Sequence, residues 1–109
     1  MEILNRYAIT VTAKQPFIEW ANKLTPELPI EINFFSESHT YLTNPDLNNA
    51  EEHIKKYYKH IFEEELESIW TDENDWPKEI DFNTFCEWFD FVISDWVQDL
   101  SIKPLFEGF

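Results

Sequence analysis

Hydrophobic and polar positions change period several times along the chain, and each change marks a predicted element. Residues 7–13, YAITVTA, set Tyr7, Ile9, Val11 and Ala13 against Ala8, Thr10 and Thr12, the two-residue alternation of a half-buried strand. Pro16 suits the first helical position, and Phe17, Trp20, Ala21 and Leu24 recur at helical spacing until Thr25-Pro26 stops them. Pro26, Pro29 and Pro45 then punctuate two strand-like pieces, one on Ile30, Ile32 and Phe34 and a firmer one at 39–43. Asn48 or Asn49 caps a long helix, with Glu51 or Glu52 three residues on. Its apolar stripe of Ile54, Tyr57, Tyr58, Ile61, Phe62, Leu66 and Ile69 runs to about Trp70. The polar stretch 71–80, which carries Pro77, reads as a loop. Asp81 caps a second long helix ending near Ser101, with Phe82, Phe85, Cys86, Phe89, Val92, Ile93, Trp96, Val97 and Leu100 on one broad apolar arc. The order β-α-β(β)-α-α predicts an α+β domain over residues 1–109, a sheet of two to three strands covered by helices, the last two of them long.

Composition narrows the chemistry. The 109 residues suit one core, and 19 aromatic rings are enough to build it, so disorder is excluded. The single glycine, Gly108, excludes phosphate-cradling loops, a dinucleotide fingerprint and a nucleophile elbow, all of which need glycine where the backbone turns tightly. Cys86 is the only cysteine, which excludes an intramolecular disulfide and a multi-cysteine zinc site and suits a reducing compartment. Residues 1–13 do not read as a secretory signal, and no apolar run approaches the roughly 18 residues of a membrane span. The expected location is the cytoplasm, and no cofactor is implied.

Net charge is −14, with −2 over residues 1–60 and −12 over residues 61–109. Such a field repels nucleic acid and anionic membranes, so the expected partner is a basic protein or a second copy of the chain. Glu63 and Glu64 begin the acidic stretch, and Glu87, Asp90, Asp95 and Asp99 continue it.

Two positions depart from the clean helical pattern. Glu65 falls inside the apolar stripe of the first long helix, where it is either a general acid/base in a cleft or a structural carboxylate held by a partner. Arg6, the only arginine, is the first candidate partner, with a Trp N–H, a Tyr hydroxyl or loop backbone as others. Phe91 projects to the polar side of the second helix, and Trp88 to its edge. Either these rings meet a partner there, or the first 47 residues or Leu105, Phe106 and Phe109 of the tail cover them. His60 with Glu63 and Glu64 is the weak candidate for a metal site, and His53 lies two turns earlier. His39 reads as an ordinary polar neighbour, and Cys86, on the apolar arc, as an inert thiol.

The segments IFEEEL (61–66), TDENDWP (71–77) and FCEWFDFVISDWVQDL (85–100) together resemble a group of small, acidic, uncharacterised bacterial proteins. The resemblance implies a single-domain cytoplasmic protein and no activity. The expected function is an acidic protein-binding module, an inhibitor or immunity-type protein that covers a basic surface. The alternatives are a small enzyme or ligand-binding domain built around Glu65, and a homodimeric structural domain.

Overall fold

The computed structural model describes residues 2–3, 5–26, 38–45, 49–101 and 103. The predicted strand on Ile30, Ile32 and Phe34 lies outside the described residues, as do Asn48, Leu105, Phe106 and Phe109. The class is α+β, with elements β1 (Glu2–Ile3), β2 (Tyr7–Ala13), α1 (Gln15–Leu24), β3 (His39–Thr43), α2 (Ala50–Ile69), a 3₁₀ turn at Glu73–Asp75, α3 (Phe82–Trp88), β4 (Phe89–Ser94) and β5 (Gln98–Asp99).

β2 is the central strand of an antiparallel sheet ordered β3-β2-β4. Its alternation decides which side each residue serves: Ile9 and Val11 are buried against the helices, and Thr10 and Thr12 lie on the other face. Registry carries the same division to its neighbours. Ile9 aligns with Tyr41 and Ile93, and Val11 with His39 and Phe91, on the helix side. Thr10 aligns with Thr40 and Val92, and Ala8 with Leu42 and Ser94, on the open side. β1 and β5 form a separate antiparallel pair, Glu2 with Asp99 and Ile3 with Gln98.

Helix α2 starts where its sequence signal placed it. The Asn49 side chain accepts from the Glu52 N–H, one of the orphan donors of the first turn. Its stripe supplies Ile54, Ile61, Phe62 and Leu66 to the core, with Tyr57, Tyr58 and Ile69 packed against them. Phe17, Ile18 and Ala21 enter from α1, Phe85 from α3, and Phe89 from the start of β4. The aromatic content makes this a core of tilted and edge-on rings: Phe62 lies 5.9 Å from Phe85, 5.6 Å from Trp88 and 5.5 Å from Phe89 between centroids.

The last third departs from the predicted long helix. Asp81 does cap α3 by accepting from the Thr84 N–H, and bonds from the Thr84 side chain and backbone hold its carboxyl below the usual carboxylate range. The helix ends at Trp88, however, and the chain enters β4 with Phe89 already extended. No glycine or proline marks the change. The cause lies in pairing: Phe89, Phe91 and Ile93 alternate with Asp90, Val92 and Ser94, and this period-two set satisfies its backbone against six residues of β2. As a strand it turns Phe91 into the core and Val92 out of it, the reverse of the helical projection.

Candidate functional site

Glu65 is buried on α2, one turn from Ile61 and from Ile69. Because β3 turns every second residue toward the helices, His39 and Tyr41 both reach it. His39 Nδ1 lies 2.9 Å from each carboxylate oxygen, and the Tyr41 hydroxyl donates to Oε2. The Ser68 hydroxyl donates to the Glu65 backbone carbonyl at 2.6 Å. Arg6 takes no part: its guanidinium is exposed and donates to the neighbouring Asn5 carbonyl. The expected Arg6–Glu65 pairing is therefore replaced by one with a strand 26 and 24 residues away in sequence. His39, read as an ordinary polar neighbour, is the missed member. Its parity with Tyr41 on a strand facing α2 was the available signal.

Both oxygens of Glu65 are thus engaged by side chains of its own fold, the arrangement of a structural carboxylate. Burial, and then the hydrogen bond to Glu65, push the Tyr41 hydroxyl above its ordinary range. A raised folded-state pKa on a phenol stabilises the fold while pH stays below the free-tyrosine value near 10, and that contribution is lost as pH rises further. Alkaline unfolding of the wild type should therefore steepen above about pH 10, and Tyr41→Phe should flatten that limb while lowering stability at pH 7. Chemical unfolding at a series of pH values checks both.

A second buried polar pair lies nearby. Thr43 Oγ1 and His53 Nε2 are 2.9 Å apart, both residues are buried, and the His53 ring packs between Tyr7 and Tyr57. His53 is therefore in the interior and apart from His60. His60 Nε2 stands 3.7 Å from Glu64 Oε1 on the exposed side of α2. Among the described residues, no three His, Cys, Asp or Glu side chains are grouped to hold a metal ion. Burial raises the Cys86 thiol.

The aromatic residues expected at a binding surface are placed differently from the helical projection. Phe91 packs on Phe85 at 5.9 Å, and Trp88 packs among Phe17, Trp20 and Phe62. Phe17 and Trp20 pack on Trp88, and Val11 aligns with Phe91, so residues of the first 47 cover part of each ring and both stay partly exposed. Their place on the outside is taken by residues the helical arc had assigned to the core: Val92 is 64% exposed, Trp96 67% and Leu100 67%. Leu42, 47% exposed, lies on the same open sheet face as Val92, across Ala8 and Thr10. Carboxylates are interleaved with them. Asp90 and Asp95 are exposed and Asp99 half-buried, and Glu87 and Glu64 are exposed elsewhere on the acidic half, with Glu63 partly covered.

Clefts among the described residues include three that Glu65 does not line. One of about 250 Å³ lies between Tyr7, His53, Ile93 and Asp95. The other two flank Trp76 in the loop before α3. Comparison of the chain with protein-family models, curated proteins and solved structures finds no match in any of the three. No helix among the described residues is long and apolar enough to cross a membrane.

Proposed function

We propose that this domain is a protein-binding module that covers a basic surface of another cytoplasmic protein, in the manner of an inhibitor. The observation that carries the reading is the exposure of three large apolar side chains, Val92, Trp96 and Leu100, within one stretch of sequence that also carries Asp90, Asp95 and Asp99. Trp is among the residues most enriched at interface hot spots, and a two-thirds exposed Trp96 adds little to this domain's own core while offering a large ring to a partner. The surrounding carboxylates select a cationic partner and speed its approach. They also disfavour a second copy of the chain, which brings another −14. The alternative centred on Glu65 is less well supported, because His39 and Tyr41 already occupy its oxygens.

The test is paired affinity capture from native cytoplasm, using the wild type and an Asp90→Lys/Asp95→Lys/Asp99→Lys variant. Basic proteins retained by the wild type at physiological salt should be lost from the variant and from the wild type at high salt. Retention of the same proteins by both chains would overturn the reading.

A further inference from the structure

The loop around Trp76 borders an aromatic cleft on the outer side of α1. Pro16, Glu19, Trp20 and Lys23 recur at i, i+3, i+4 and i+7 on the outer stripe of α1, and with Trp76 and Trp88 they line an open cleft of about 330 Å³. Pro77 and Asp75 finish it on the loop side. Three indoles in one small cleft are a large fraction of the five in the chain.

Their polar edges are already used. Trp20 Nε1 donates to the Asp75 carbonyl at 2.9 Å, and Trp76 Nε1 donates to the Trp70 carbonyl at 2.8 Å. Trp70 Nε1 in turn donates to Asp75 Oδ2 at 2.9 Å, which fixes the loop that carries Trp76. Trp20 and Trp88 pack at 6.0 Å with a 50° tilt, so these two walls are held by the core beneath them. The cleft is therefore preformed, and neither Trp20 nor Trp76 retains an N–H to offer a ligand carbonyl. What they can offer is the electron-rich ring.

We propose that this cleft binds the guanidinium of an arginine side chain presented by a peptide or protein partner. Charge complementarity names the occupant. Carboxylates of Glu19 and Asp75 outnumber the one ammonium of Lys23 in the lining, and the adjoining cleft across Trp76 adds Glu67, Asp72 and Glu73. Arginine fits better than lysine, since its planar, weakly hydrated guanidinium stacks on indole while its edge donates to carboxylate. An alkylated ammonium would use the rings but leave the carboxylate acceptors without a hydrogen-bond donor. Trp96 is not among the lining residues, and the proposal does not depend on the Trp96 surface being an interface.

The experiment is an NMR titration of the indole N–H signals with N-acetyl-arginine N-methylamide at constant ionic strength, repeated with the lysine analogue and with tetramethylammonium. The Trp20, Trp76 and Trp88 signals should move together and saturate with a dissociation constant on the order of millimolar to tens of millimolar, at least about fivefold tighter than for the lysine analogue. Trp96 should stay still and serve as the internal control. Glu19→Gln, an exposed change that leaves the rings in place, should weaken binding by about twofold to fivefold. Asp90→Lys/Asp95→Lys should leave it unchanged. Absence of a saturable shift, equal affinity for the lysine analogue or tetramethylammonium, or an equal shift at Trp96 would each overturn the proposal.

Discussion

Phe62→Ala should destabilise the domain by about 3–5 kcal/mol, measured by chemical unfolding at pH 7. Phe62 has no solvent exposure and meets Phe85, Trp88 and Phe89, so it joins α2 to both halves of the α3–β4 segment. Truncation removes the ring's own burial and leaves a cavity walled by three aromatics that cannot collapse together, because each is also tied to another neighbour. Domains of this length hold roughly 5–15 kcal/mol in total, so the variant would lose a large share of its stability. Phe62→Leu, which keeps most of the volume, should cost clearly less.

Glu65→Ala should cost about 1–3 kcal/mol, because it strips a half-buried tyrosine hydroxyl and an imidazole N–H of their shared acceptor. Glu65→Gln keeps an acceptor oxygen at nearly the same place and should cost about 1 kcal/mol. Combining Glu65→Ala with Tyr41→Phe should recover part of the loss, since the orphaned hydroxyl is then gone. A strictly additive double variant would show that the Tyr41–Glu65 contact carries no coupling.

The legible parts of this fold are those in which a single period governs the buried face. The β2 alternation and the α2 stripe meet that condition, and the caps at Asn49 and Asp81 mark the helix starts from local chemistry alone. The segment from Phe89 to Ser94 does not meet it. Phe89 and Ile93 face the core on either a helix or a strand, so only Phe91 and Val92 distinguish the two, and the deciding interaction is a non-local pairing with β2. The same ambiguity hid Trp96, which the helical arc placed inside and the structure leaves outside. Glu65 was legible as an anomaly because a carboxylate interrupts an apolar stripe. A Tyr hydroxyl was among its candidate partners, but Tyr41 in particular and His39 are chosen by strand parity and by the placement of β3 over α2, and the one arginine was a misleading guide. The tryptophan cleft was invisible for a similar reason. Its residues come from α1, a loop and α3, and no sequence spacing joins them.

Whether the Trp96 surface is an interface is tested most directly by the affinity of the captured partner for Trp96→Ala beside the wild type. Trp96 contributes little to the core, so the variant should keep the wild-type unfolding midpoint to within about 0.5 kcal/mol of stability. Its affinity should fall by about 2–4 kcal/mol, thirtyfold or more. An unchanged dissociation constant with the fold intact would contradict the account.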